Sequence, residues 1–499
     1  MKQTALTNTD SYKLGHAAMY PDDTTRVYSN FTPRSMSHFH VPERFRADKK
    51  IVWFGLQGFL HELNLVWKET FFDLDVDRVC AEFSAFVAPF CGPNGYDVAR
   101  LRELHAIGHL PLEIKALPEG ARVPVGVPVF TITNTRASAY WLPNYLETWM
   151  SAELWKSSTS ATMARVYRKI IDEYAEITGG SKEFVPFQGH DFSMRGMSGI
   201  ADGAKSGAGH LLSFVGTDVL SAVNYINDYY HGKSAFVGCS VPASEHSVMS
   251  TETKQEELEV FRRLIKMYPS GIVSLVSDTY DFFQVVTKFA TDLKDDIVNR
   301  VPDSLGIAKV VFRPDSGDPV LIICGDPDAP AGAPEHKGAV ECLWDIFGGT
   351  INDKGYKTLN QRVGLIYGDS ITVERCEAIL KRLEATGFAS DNIVFGIGSY
   401  TYQYQTRDTL GFAMKATYRE TNGVGVPIFK DPKTDNGTKK SAKGLLHVHK
   451  SPTTGDYVLL DQVTPEFEMI GELKTVYLNG NILVDDSIDA IRGRLVDHG

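Results

Sequence analysis

The chain has 499 residues, 43% of them hydrophobic and 11% aromatic, enough for a large buried core and for two or three domains. Its net charge of -11 excludes a general affinity for nucleic acid or for anionic membranes, so a polyanionic ligand would need positive charge concentrated locally. The opening MKQTALTNTD has no apolar signal core, and no uninterrupted apolar run approaches transmembrane length. The six cysteines (Cys80, Cys91, Cys239, Cys324, Cys342 and Cys376) are scattered, with no C-x-x-C pair, and read as reduced thiols of a cytoplasmic protein.

In chain order, Asp10 and Ser11 can cap a short helix that carries Tyr12 and His16 on one face. Val27 to Thr32 reads as a strand, Ile51 to Phe72 as a long apolar-periodic helix, and Val76 to Phe90 as another. Alternation in Leu112 to Leu117, a turn at Pro118 to Gly120, and two short strands in Val123 to Thr133 joined at Gly126 predict an antiparallel β element. Tyr140 to Ile177 is helical throughout and ends at Gly179 and Gly180.

A strand–loop–helix rhythm follows. The strand candidates are Phe184 to Phe187, Leu211 to Val215, Phe236 to Val241, Ile272 to Asp278, Val310 to Phe312, Val363 to Asp369 and Ile393 to Gly398. Helices are expected near Gly199, over Phe282 to Leu293 and over Thr372 to Thr386. Apolar strands alternating with helices predict a parallel sheet closed as an α/β barrel. The Pro-, Ala- and Gly-rich stretch from Asp326 to Lys337 reads as an exposed loop. From about Thr406 the rhythm gives way to strand-like pieces (Phe412 to Tyr418, Val424 to Phe429, Tyr457 to Leu460), with a basic loop over Lys430 to Gly444. The expected architecture is therefore α/β: an irregular barrel over 151–400, with a second, β-rich domain built from 1–150 and 401–499.

The most informative stretch is Val310 to Pro319, VVFRPDSGDP, a buried-strand pattern that turns polar at once. Arg313 offers a rigid fork for phosphate or carboxylate, and Asp315 a hard oxygen for a divalent cation. Two residues apart, they suit an anionic, metal-bound ligand such as a pyrophosphate; an ordinary ion pair capping a turn would account for them equally. Other candidate residues also fall at strand ends: the aromatic Phe192 and Arg195 in HDFSMRG, Asp218, His246 in SEHS, Asp278, Asp369 in GDS, and Arg407 in TRD. Each alone is more often structural than functional, but barrel geometry would converge the series on one mouth. Several classes fail on their motifs. The chain has no G-x-x-x-x-G-K-[ST] loop, no H-E-x-x-H helix, no G-x-S-x-G elbow and no early G-x-G-x-x-G.

Taken together, DSYK at Asp10, HDFSMRG at His190, GTD at Gly216, SVPASEHS at Ser240, SDTYD at Ser277, RPDSG at Arg313, YGD at Tyr367, TRD at Thr406 and FKDP at Phe429 resemble the nicotinamide phosphoribosyltransferases, of the type II phosphoribosyltransferase family. The resemblance runs along essentially the whole chain, in order. It implies a barrel plus a β-rich domain, a homodimer with shared active sites, and transfer of phosphoribosyl from phosphoribosyl pyrophosphate to nicotinamide. By resemblance, Phe192 and the partner subunit's Tyr12 sandwich the pyridine, while Asp218 and Arg313 also bind nicotinamide. Arg195, His246, Ser274, Arg313, Gly368, Asp369, Arg407, Lys415 and Lys430 hold the sugar and phosphates, with Gly398 and Ser399 as further candidates. Asp278 and Asp315 organise Mg²⁺, directly or through water. His246 is implied to be phosphorylated by ATP, a facultative co-substrate, with Asp278 orienting it. His246, Asp278, Arg313 and Asp315 form the implied catalytic set. The sequence departs from many relatives at FGIGSY, where Ser399 stands in a run that is otherwise glycine. A nicotinate phosphoribosyltransferase, or a catalytically silent nucleotide-binding relative, are the alternatives.

Overall fold

A computed structural model describes residues 4–92, 98–368, 370–430 and 442–497. It divides into two compact units. The first comprises Met1–Thr162, Asn224–Phe236 and Gln405–Gly499; the second comprises Met163–Val223 and Val237–Tyr404.

The first unit is organised by a seven-stranded antiparallel sheet in the order Val424–Pro427, Ala413–Thr421, Thr24–Thr32, Phe130–Asn134, Leu112–Ala116, Lys474–Leu478, Asn481–Ile482. Strands from both ends of the chain thus share one ladder, with Phe31 opposite both Met414 and Phe130. The Phe31 ring stacks on Phe130 at 5.2 Å and on Phe412 at 5.0 Å, contacts worth about 0.5–1.5 kcal/mol each beyond burial. The long helix expected over Ile51 to Phe72 is corrected. Lys50–Val52 is a strand paired with Arg122–Pro124, and the helix proper is Leu56–Trp67, continued by a π-helical turn at Lys68–Phe72. The β-branched pair Ile51 and Val52 finds a partner ladder, and Gly55 at φ +110° breaks the chain before the helix. At Asp10 the side chain does not cap the following turn but accepts from Thr148 Oγ1 at 2.6 Å.

The second unit contains a six-stranded parallel sheet in the order Gly216–Thr217, Gly189–Asp191, Val394–Ile397, Val363–Tyr367, Ala308–Arg313, Gly271–Val276. Single parallel bridges, Gly216 to Cys239 and Ala243 to Ser274, tie the two edge strands to one short intervening segment. The sheet thereby curls into an irregular barrel with helices between its strands, as the apolar rhythm predicts. Three strand assignments need correction. Val185–Phe187 is a 3₁₀ turn, Leu211 closes the helix Ile200–His210, and within Phe236 to Val241 only Cys239 makes a bridge. The actual strands nearby, Gly189–Asp191 and Gly216–Thr217, are too short and too polar to carry an apolar signature. The helix expected over Phe282 to Leu293 is interrupted by a π-helical turn at Val285–Phe289, and a helix Pro334–Phe347 begins inside the stretch read as loop. No helix among the described residues is long and apolar enough to cross a membrane.

Candidate active site

Each barrel strand hands its next residues to the carboxyl-terminal rim, where α/β barrels carry their chemistry. Gly189–Asp191 leads into Phe192, whose amide donates to Ile397 O at 3.0 Å. The neighbouring Gly396 has no room for a side chain: a Cβ there would lie 2.8 Å from the Phe192 ring. Gly216–Thr217 leads into Asp218, anchored by its amide to Asp191 O at 3.0 Å. Ala308–Arg313 ends in the guanidinium of Arg313, and its carbon lies 5.9 Å from the Phe192 ring centre. Arg313 Nη2 donates to Ser244 O at 2.7 Å, and Nε lies 3.6 Å from Asp315 Oδ1.

Asp278, on the loop after Gly271–Val276, is the anchor of the neighbouring turn. Its side chain is 4% exposed. Oδ2 accepts from the Asp315 amide at 2.9 Å and from Ser316 Oγ at 2.5 Å. Oδ1 is buried without a hydrogen-bond partner among the described residues. His246 Nε2 lies 3.7 Å from that Oδ1 and 3.9 Å from Asp315 Oδ2. Gly368, after the Val363–Tyr367 strand, completes the cradle, because a Cβ there would fall 2.0 Å from Asp315 Oδ1. Ser274, within its strand, keeps a buried Oγ with no hydrogen-bond partner among the described residues.

At Asp218, burial works to raise the carboxyl. Hydrogen bonds from His190 and Ser240 and the positive charge of Arg313 more than offset it and hold the group below the usual carboxylate range. Asp218 therefore carries its negative charge through neutral pH.

The second unit thus brings Phe192, Asp218, Asp278, Arg313, Asp315 and Gly368 to strand ends of one parallel sheet, with His246 opening the short helix His246–Met249 beside Asp278 and Asp315. Arg195 lies exposed in the turn Met194–Gly196. Gly398 and Ser399 have negative φ, and Ser399 opens a four-residue helix, so the left-handed backbone that would disfavour serine does not arise. Asp369 lies outside the described residues. Tyr12, Arg407, Lys415 and Lys430 belong to the first unit. Tyr12 is 62% exposed, with Lys13 Nζ 5.4 Å from its ring centre. Desolvation lowers the Lys415 ammonium from its ordinary value, and the charges of Arg34, Lys430 and Arg407 add to this against the opposing pull of Glu147. That is a local concentration of cations in an otherwise acidic protein.

Sequence reasoning assigned no role to His190, Ser240, Ser244 or Ser316, which make the contacts that orient Asp218, Arg313 and Asp278. His190 and Ser240 open two of the motifs; nothing in the spacing tells that both meet one carboxylate oxygen. Among the described residues, no group of three or more His, Cys, Asp or Glu is set to hold a metal ion. The pair Asp278 and Asp315, with the unsatisfied Oδ1 of Asp278, fits a hard cation that takes its remaining ligands from water and a bound phosphate, as Mg²⁺ does.

A cationic fork and two carboxylates next to an aromatic face, all at barrel strand ends, define a site for an anionic substrate joined to a flat ring. The family model for the nicotinate phosphoribosyltransferase (NAPRTase) family matches residues 187–480, and that for the nicotinamide phosphoribosyltransferase N-terminal domain matches residues 4–70. A curated relative from Acinetobacter baylyi, named nicotinamide phosphoribosyltransferase, is 56% identical over 488 residues, 97% of this chain and 96% of the relative. One of the same name from Xanthomonas campestris pv. campestris is 35% identical over 98% of this chain and 97% of its own length. Among solved structures, human nicotinic acid phosphoribosyltransferase shares the fold with a TM-score of 0.55 at 15% identity, covering 98% of this chain and 93% of that one. A nicotinate-nucleotide pyrophosphorylase from Pyrococcus furiosus does so with a TM-score of 0.53 at 14% identity, covering 100% and 98%. The chain belongs to the nicotinate phosphoribosyltransferase (NAPRTase) family.

Proposed function

We propose that this protein is an enzyme of NAD salvage that transfers the phosphoribosyl group of phosphoribosyl pyrophosphate to nicotinamide, releasing pyrophosphate and nicotinamide mononucleotide. The observation that carries the reading is the juxtaposition of Arg313 with the Phe192 ring on one side and with Asp315 on the other. The full-length relatives named nicotinamide phosphoribosyltransferase support it.

In this reading Phe192 stacks one face of the pyridine, Arg313 binds the ring end and the phosphates, and Asp218 accepts a hydrogen bond from the carboxamide. Nicotinate would instead bring a carboxylate against that charge. Two like charges about 4 Å apart cost roughly 4 kcal/mol at an effective dielectric near 20. Solvent at the half-exposed Asp218 reduces this, yet about 1.4 kcal/mol is enough for a tenfold preference. Asp278 and Asp315 would hold Mg²⁺ on the pyrophosphate through water. Bound there, the ion would neutralise charge building on the leaving group. Arg195, Ser274, Gly368, Asp369, Gly398 and Ser399 complete the phosphoribosyl contacts of the second unit. No enzyme nucleophile is required, since the anomeric carbon becomes cation-like and positioning does most of the work. The protein acts as a cytoplasmic homodimer in which Tyr12, Lys415 and Lys430 serve the partner's site, and the exposure of Tyr12 fits that role.

ATP enters as a facultative co-substrate. The His246 imidazole takes the terminal phosphoryl group, ADP leaves, and water later releases phosphate. The imidazole is half-exposed and lies between Asp278 and Asp315. His246→Ala is expected to lose ATP hydrolysis while keeping some ATP-independent synthesis. Hydrolysis at the wild-type rate in that variant, measured as phosphate release, would rule out the phosphohistidine.

The reading is tested by supplying the purified protein with phosphoribosyl pyrophosphate and either pyridine. Mononucleotide should form from nicotinamide; turnover of nicotinate alone would reject the assignment. Asp218→Ala should cut the kcat/KM ratio of nicotinamide to nicotinate by about tenfold or more. The pH sign follows from the depressed Asp218 carboxyl. Its charge, and any folding stability it contributes, are fully present above the usual carboxylate value of 3.8 and are lost only as pH falls through the lower folded value. Discrimination set by Asp218 should therefore stay constant across neutral pH, as parallel pH–rate profiles for the two pyridines would show.

A further inference from the structure

His190 lies on the strand Gly189–Asp191 opposite Gly216, and Asp218 follows directly on the adjacent parallel strand Gly216–Thr217. Alternation along a strand puts the side chains of residues 190 and 192 on one face, and those of 216 and 218 on the corresponding face of the neighbour. Gly216 has no side chain, and a Cβ there would lie 2.9 Å from His190 Nδ1. The imidazole therefore lies across the glycine, its ring centre 4.5 Å from that of Phe192 and its Nε2 2.9 Å from Asp218 Oδ1. A carboxylate can only accept, so Nε2 is the protonated nitrogen in this contact. Ser240 Oγ donates to the same oxygen at 2.5 Å. Both contacts fall on Oδ1, and among the described residues none falls on Oδ2. The positive charge of Arg313 also acts on the carboxylate.

A half-exposed aspartate with no such contacts would turn about its terminal bond and share either oxygen with water. Here one oxygen is claimed twice, which fixes the plane of the group and leaves the other oxygen for a ligand. We propose that His190 and Ser240 are specificity-determining positioning residues: by holding Oδ1 they present Oδ2 of Asp218 to the carboxamide, and the preference for an amide over an acid on the pyridine depends on them. His190 has a second effect, since it also backs the Phe192 ring and so sets the ring slot and the acid beside it at one spacing. The proposal rests on nicotinamide being the accepted base.

The test compares kcat/KM for nicotinamide and for nicotinate in wild type, His190→Phe, His190→Gln and Ser240→Ala, with thermal stabilisation by phosphoribosyl pyrophosphate alone as the control. His190→Phe keeps the packing on Phe192 and removes the donor; the nicotinamide-to-nicotinate ratio should fall by about tenfold or more, mainly through a raised KM for nicotinamide. His190→Gln restores a donor where Nε2 stood and should recover most of the ratio, a rescue that a merely structural role would not give. Ser240→Ala should lower the ratio by about threefold. Stabilisation by phosphoribosyl pyrophosphate should match wild type in all three. An unchanged ratio in His190→Phe and Ser240→Ala would overturn the proposal. Should His190→Phe not fold, an unchanged ratio in Ser240→Ala alone overturns it. Absence of nicotinamide turnover in the wild type would instead overturn the underlying reading, so the two failures are distinct.

Discussion

Replacing Arg313 by alanine should lower kcat/KM for phosphoribosyl transfer by about 10²–10³-fold or more, the usual cost of removing a preorganised donor from developing negative charge. Arg313 is the hinge of the site. Its side chain is 12% exposed, one nitrogen is spent on Ser244 O, another faces Asp315, and the guanidinium lies beside the Phe192 ring. The fork is therefore already aimed before substrate arrives, so little ordering is left to be done on binding. Arg313→Lys should recover only part of the loss, because an ammonium supplies the charge without the planar pair of donors. The effect on folding should be limited to about 1.5–3 kcal/mol for the lost charge-assisted bond to Ser244. Steady-state kinetics alongside thermal melting separate the two; a large drop in melting temperature with near-normal kcat/KM would show that Arg313 is structural.

Asp278→Ala should be damaging in both respects. The Asp278 carboxylate is nearly buried and accepts from the Asp315 amide and from Ser316 Oγ. Removing it strands a backbone donor, at a cost of about 1–3 kcal/mol, and frees the turn that carries Asp315 and faces Gly368. Activity should fall by about 10²-fold or more, and the Mg²⁺ concentration needed for half-maximal rate should rise. Asp278→Asn keeps the shape and one acceptor oxygen, so it should recover stability more than activity. Magnesium titrations with both variants check this; an unchanged magnesium requirement would remove Asp278 from the metal's surroundings.

The barrel could be read in the sequence where its strands are long and apolar. Gly271–Val276, Ala308–Arg313, Val363–Tyr367 and Val394–Ile397 each carry β-branched or aromatic residues in a run, and each turns polar at its end. The strands Gly189–Asp191 and Gly216–Thr217 could not be read, since they have three and two residues and are strands only because neighbours pair with them. Their apolar neighbours, Val185–Phe187 and Leu211 to Phe214, pack as turns instead and drew the strand assignment to themselves. Ile51 to Phe72 behaves likewise: the helical periodicity is carried by the residues after Gly55, while Ile51 and Val52 belong to a strand that exists through its pairing with Arg122–Pro124. At the site, residue types such as Arg313 and Asp315 announce their chemistry. Orienting groups do not: Ser240 and Ser316 are ordinary serines until three-dimensional structure puts each within 2.5 Å of an aspartate oxygen. The spacing of residues around Gly368 and Gly396 carries information of the same hidden kind, since each glycine is required by what a side chain there would strike.

One site is proposed to do two jobs, holding a flat ring by its amide and a pyrophosphate by its charge. A crystal structure with nicotinamide, pyrophosphate and Mg²⁺ bound tests this most directly. The pyridine should lie against Phe192 with its amide nitrogen within about 3.2 Å of Asp218 Oδ2, and pyrophosphate oxygens should meet Arg313. Nicotinamide bound elsewhere, with the Asp218 carboxylate untouched and pyrophosphate away from Arg313, would contradict it.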